Sequence, residues 1–141
     1  MTIKDRSTQV VMLRRAWSRS TSADPERWSE GNPAWGQCAV TSLVLQDLLG
    51  GKLCRTMVDG HSHYFNILDN GEEVDLTWEQ FRVGATKSDR QLRERSYVLS
   101  FPDAARRYVL LRTAVDRRWL GDFVADPRLA RVTSIGRTGQ A

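Results

Sequence analysis

From about Lys4 to Arg19 apolar residues recur at helical spacing. Val10, Leu13, Ala16 and Trp17 share one side, and Arg14, Arg15 and Arg19 fall among the polar positions. This pattern predicts an N-terminal helix. Ser20 to Pro33 is rich in Ser, Asp, Pro, Gly and Asn and reads as a loop. Trp28 and Trp35, in or beside that loop, are expected to pack it onto the body or to wall a site. The next run, Gly36 to Leu49, predicts a second helix. Ala39, Leu43 and Leu49 mark its stripe, and Val40, Val44, Leu45 and Leu48 widen it. A helix apolar on most sides is central and buried. Gly50-Gly51 supplies a left-handed cap.

The period then shortens to that of strands. Lys52 to Val58 alternates loosely, Asp59-Gly60 is a turn, and His61 to Leu68 is a second strand. Asp69-Asn70-Gly71-Glu72 predicts a hairpin, since Asn-Gly accepts positive φ at little cost. Glu73 to Leu76 returns as a third strand. Thr77-Trp78-Glu79-Gln80 has the spacing of a capping box, so a short helix or turn is expected there. Gly84 to Arg95 is polar and charged and reads as a mobile connection. Tyr97 to Phe101 reads as a strand or an extended lead-in. Pro102 and Asp103 suit the first turn of a last helix. It runs to about Leu120 with Ala105, Val109, Ala114 and Trp119 among its apolar positions and Gly121 able to cap it. Residues 127–141 are expected to be a flexible tail.

The sum is an α+β fold in a single domain over 1–141, with an N-terminal helix (1–19) and a core (28–122). The 141 residues are 40% hydrophobic and 27% charged, as in an ordinary globular protein that buries its core without staples. No stretch is long and apolar enough to span a bilayer, and Met1 to Arg19 lacks the apolar centre of a secretory signal. A cytoplasmic location is therefore expected. Two cysteines, Cys38 and Cys54, do not make a disulfide framework. The net charge of +4 is compatible with anionic substrates without requiring them. The arginines of the last helix, Arg106, Arg107, Arg112, Arg117 and Arg118, read as a solvated face. No nucleic-acid-binding motif accompanies them, so nucleic acid is not an expected partner.

Candidate chemistry begins at Cys38. It opens the second helix, where a thiol meets unpaired N–H groups and the positive end of the macrodipole, an environment that favours the reactive thiolate. His63 follows in the second strand and Asp75 in the third. A hairpin turning near Asn70-Gly71 brings these two to facing positions. Cys38, His63 and Asp75 thus supply a nucleophile, a base and an orienting carboxylate. The backbone N–H of Cys38, with a side-chain amide from Gln37 or Asn32, is the expected oxyanion donor. Trp35 and Trp28 are candidate substrate contacts. The bland reading of each residue is a packed thiol, a strand histidine and a turn aspartate; the ordered combination favours the catalytic one. His61 is the rival base and is expected to be solvated; Cys54 is expected to be inert. Cys38, Cys54, His61 and His63 lack the close Cys pair of a zinc site, and neither metal nor cofactor is expected.

Asn32-Pro33-Ala34-Trp35-Gly36-Gln37-Cys38-Ala39-Val40-Thr41-Ser42-Leu43, followed by Gly50-Gly51, His63-Tyr64-Phe65-Asn66, Glu73-Val74-Asp75-Leu76-Thr77 and Gln80-Phe81, resembles the YunG-like family of small bacterial proteins. More distantly, a Cys helix followed by His and Asp on neighbouring strands is similar to the papain-like and transglutaminase-like cysteine enzymes. That resemblance implies a nucleophile helix packed on a small antiparallel sheet, and thioester chemistry at Cys38, His63 and Asp75. Papain's own sequence around its nucleophile is absent, as is the Arg-rich approach of arylamine N-acetyltransferases. The expectation is a hydrolase or acyltransferase acting on a small-molecule or carrier-linked amide or ester, a role that fits specialised metabolism. The rival is a non-catalytic binding or interaction domain on the same fold.

Overall fold

A computed structural model describes residues 6–125, with side chains described to residue 120; the expected tail lies outside them. Four helices and a four-stranded sheet follow in the order α1 (Arg6–Ala16), α2 (Cys38–Leu49), β1 (Lys52–Val58), β2 (His61–Ile67), β3 (Glu73–Val74), β4 (Gln91–Arg93), α3 (Arg95–Leu99) and α4 (Pro102–Ala125). Short 3-10 turns at Arg19–Thr21 and Trp78–Gln80 link them.

The sheet order is β3-β2-β1-β4, antiparallel throughout. β1 and β2 pair along their full length, Lys52 opposite Ile67 and Val58 opposite His61. Their connection is Asp59-Gly60, both with positive φ (49° and 81°), as the tight turn that matches strand twist requires. The β2–β3 connection differs from the expected Asn-Gly turn. Gly71 alone takes positive φ (87°), and the Asn70 side chain accepts the Glu72 N–H instead. The loop centres on Asn70 and pairs Asn66 with Val74 and Ile67 with Glu73. Continuing that register sets Phe65, not His63, against Asp75.

α2 lies between the sheet and the helices α1 and α4, as its all-round apolarity requires. Val40, Val44 and Leu45 pack with Leu13, Ala16, Trp17, Leu111 and Val115. Leu43 packs with Leu53 and Val98 beside Tyr64 and Tyr108. Polar bonds fix the stacking: Trp17 donates from Nε1 to Thr41 Oγ1 at 2.9 Å, and Asn66 donates from Nδ2 to the Ser42 carbonyl at 3.0 Å.

Several boundaries differ from the sequence pattern. α1 ends at Ala16, and Arg19–Thr21 tightens into a 3-10 turn. β3 stops at Val74, and no capping box forms at Thr77, whose backbone is not extended and whose carbonyl accepts from Gln80 Nε2. Residues 95–99 are helical rather than extended. The polar segment 84–95 contains the edge strand β4. α4 continues through Gly121 to Ala125. The arginine face is largely paired: Arg106 and Arg107 both bond Asp103, and Arg112 lies beside Asp47 and Asp116. Arg107 is itself buried, its guanidinium donating to the Thr21 carbonyl. No described helix is long and apolar enough to cross a membrane.

Candidate active site

Cys38 is the first residue of α2, with Gln37 as N-cap. Just ahead, Gly36 takes φ +73°, and a Cβ there would strike the Ser22 hydroxyl and the Ala23 backbone. The Ala23 N–H donates to the Gly36 carbonyl at 2.8 Å, and Gly36 N–H donates to Gln80 Oε1 at 3.2 Å. Only glycine allows this crossing of backbones, and the crossing sets where the helix begins and hence where the sulfur points.

His63 sits in β2, wholly buried, inside an aromatic box. Phe81 and Trp78 meet it edge-on at 4.9 and 5.9 Å between ring centres, and Phe65 stacks at 6.3 Å. Its Nε2 lies 2.7 Å from Asp75 Oδ2. The two are thus diagonal neighbours across the hairpin rather than directly opposed, a spacing long side chains bridge. Nδ1 is buried without a partner of regular hydrogen-bond geometry, and it is the ring nitrogen left for Cys38. Burial pushes the imidazole down, but the hydrogen bond to Asp75, then the hydrogen bond and charge of Cys38, outweigh it and raise His63 to about 9. The ring is therefore an imidazolium at neutral pH. Sulfur, imidazole and carboxylate come together from α2, β2 and the residue after β3.

Asp75 has a further partner that the polar reading of 84–95 conceals. Lys87 Nζ lies 3.0 Å from Asp75 Oδ2 and 2.5 Å from Glu73 Oε2, with its side chain only 12% exposed. It also stands 4.1 Å above the Phe65 ring and 5.0 Å above Trp78. Arg90 completes the series on Glu73 at 2.6 Å. Charges alternate from the surface to the imidazole. The neighbouring Ser88 makes this possible: it exchanges three hydrogen bonds with Thr56 and Met57 of β1.

A cleft of ≈ 180 Å³ opens on Cys38, walled by Trp35, Ala39, His61, Phe81 and Asp24. His63 is not part of its lining but meets Phe81, which is, edge-on. His61 is exposed at the rim, its ring edge-on to Trp35 at 5.9 Å. Cys54 is buried in β1, and burial raises its thiol pKa, an inert environment. Gln37 is wholly buried and faces away from the cleft. Its Nε2 donates to the Ser18 carbonyl at 2.9 Å and its Oε1 accepts from Thr21 Oγ1 at 2.8 Å. Asn32 donates to the Gln80 carbonyl at 3.3 Å, and Trp28 donates to the Pro33 carbonyl at 3.0 Å; neither lines the cleft. These three expectations are corrected: the amides of Gln37 and Asn32 and the Trp28 indole brace the loop before α2. Gln80 does line the cleft, with its amide accepting from the Gly36 N–H and donating to the Thr77 carbonyl. Among the described residues no three His, Cys, Asp or Glu side chains are grouped to hold a metal.

An α+β fold of four helices and a small antiparallel four-stranded sheet, with a buried imidazole tied to a carboxylate, is the class the fold and site define. The YunG protein family matches residues 7–120, and the chain belongs to that family. It is 44% identical over 72 residues to YunG of Bacillus subtilis (strain 168), a protein described as uncharacterized. The aligned part covers 51% of this chain and 59% of that relative. No solved structure matches the chain significantly.

Proposed function

We propose that the chain is a cysteine enzyme for thioester-mediated acyl chemistry, built on the papain-like or transglutaminase-like plan. One arrangement carries the reading: a fully buried imidazole held by Asp75 at 2.7 Å on one nitrogen, with Cys38 acting on it and a cleft opening at the sulfur. A structural cysteine needs neither the buried charged ring nor the cleft.

The Cys38 sulfur attacks the carbonyl carbon of an amide or ester. The C–S bond forms, and the carbonyl electron pair moves onto oxygen, toward the N–H groups in the first turn of α2. Collapse breaks the C–N or C–O bond, and the leaving amine or alcohol takes the proton held by His63. Water or an amine then attacks the thioester, gives its proton to His63 and expels the thiolate. Hydrolysis and transfer differ only in that second attacker. The cleft's size suits a small acyl group, with the rest of a small molecule or carrier outside.

Intact mass after incubation with activated esters such as 4-nitrophenyl acetate tests this. An acyl adduct on Cys38 is expected, absent in Cys38→Ala and formed roughly a hundredfold more slowly in His63→Ala. An adduct no faster than on a free thiol, and indifferent to His63, overturns the reading in favour of a non-catalytic binding domain.

A further inference from the structure

The cleft in front of Cys38 carries one fixed charge, and it is negative. Asp24 is the only carboxylate lining it, and no Lys or Arg lines it among the described residues. Trp35 Nε1 donates to Asp24 Oδ2 at 3.1 Å, which fixes the indole and the carboxylate side by side. Arg27 Nε lies 3.7 Å from the same oxygen, but its side chain is 71% exposed, so that pair is weak and screened. Both contacts fall on Oδ2, leaving Oδ1 for a ligand. A carboxylate beside an indole recognises a cation twice, by charge and by the ring's quadrupole. His63 is wholly buried and is not part of the cleft lining, so Asp24 is the charge that a ligand in the cleft meets directly. The ≈ 180 Å³ volume equals that of about six waters, room for a short side chain rather than a long peptide.

We infer, resting on the acyl chemistry proposed above, that the acyl group taken by Cys38 carries a cationic nitrogen, ammonium or guanidinium, seated against Asp24 and Trp35 a few bonds from the reacting carbonyl. The cation belongs to the acyl group because Asp24 and Cys38 line one small volume, which the acyl group fills once the thioester forms. An acyl group bearing carboxylate or phosphate meets repulsion at the same spot.

Three methanethiosulfonates on the same ethyl spacer test the charge of the cleft: trimethylammonioethyl, sulfonatoethyl and neutral ethyl. Each is displaced at sulfur by the Cys38 thiolate, forming a disulfide and releasing methanesulfinate. Rates at Cys38 are read by peptide mass, with Cys54 buried, and are divided by those of a blocked free cysteine. The cationic probe is expected to gain roughly three- to tenfold over the anionic one beyond that reference, the size of effect one nearby charge gives in a wet site. The gain disappears in Asp24→Asn, where the amide still bonds Trp35. It also disappears in the unaltered protein at about 1 M salt, where the screening length is about 3 Å. A ratio equal to the reference, or one untouched by both changes, overturns the inference. In His63→Ala all three rates are expected to fall, with the cationic probe still favoured over the anionic one. Rates that stay unchanged count against the acyl chemistry, while the ratio still reads the charge of the cleft.

Discussion

A lysine whose ammonium lies between Asp75 and Glu73 and over two aromatic faces is not a surface charge. Lys87 holds in place the carboxylate that holds His63. Removing it leaves two carboxylates close together, one of them with an oxygen, Asp75 Oδ1, already buried and unpartnered. Lys87→Met is expected to cost about 1–3 kcal/mol in urea denaturation, the penalty of breaking a buried pair from one side. It is also expected to slow acylation of Cys38 several-fold. Lys87→Arg restores the charge but not the compact point geometry, and should recover stability only in part. A Lys87→Met protein within about 0.5 kcal/mol of the parent contradicts this role. Nothing in the sequence singles Lys87 out. It stands in a polar run whose docking depends on Ser88 meeting β1, a contact between segments about 30 residues apart. Cys38 and His63 were legible from local features, a helix start and a strand; Asp75 was legible as a near neighbour of His63 across a hairpin, though the register sets Phe65 rather than His63 opposite it.

At the scale of elements, α2 and the β1–β2 hairpin could be read from the chain because period, turn and cap agree there. Lys52–Val58 has the expected ends, and Gly50 caps α2 with φ 74°. The hairpin register could not, since Asp69-Asn70-Gly71 forms a longer loop than Asn-Gly alone suggests. The direction of Gln37 could not either: the pattern places it near a helix start, but only packing decides which way its amide turns. That amide joins the N-terminus of α2 to the Ser18–Thr21 turn, and Arg107 of α4 donates to the Thr21 carbonyl. Gln37→Ala is therefore expected to leave the Ser18 carbonyl and the Thr21 hydroxyl short of a partner and to lower stability by about 1–3 kcal/mol. Gln37→Glu keeps the acceptor for Thr21 and sets a carboxylate against the Ser18 carbonyl, so it should be no better. Full stability with slowed acylation alone would return Gln37 to an oxyanion role.

For the molecule as a whole, the α+β class was legible, while β4 and α3 were not. β4 is three edge residues, Gln91, Leu92 and Arg93, paired on one side only with even Leu92 exposed, so it has no buried face to imprint a period. α3 is five residues, of which Tyr97 and Val98 favour strands, and Val98 packs in the helix against Leu43 and Leu53. What the fold achieves is convergence: α2, β2 and the end of β3 deliver three groups to one place, and the 84–95 segment closes behind them. If these groups act as a unit, the His63 ring must report both neighbours. Histidine NMR through a pH titration measures this directly, and the chain has only two histidines to assign. His63 is expected to titrate near 9, well above the ordinary 6.5, so that it is charged at neutral pH and loses its proton only as the solution becomes alkaline. The midpoint is expected to fall in Cys38→Ala and again in Asp75→Asn. A midpoint at or below 6.5, unmoved by replacing Cys38, would contradict the account, because the sulfur and the imidazole would then not be partners.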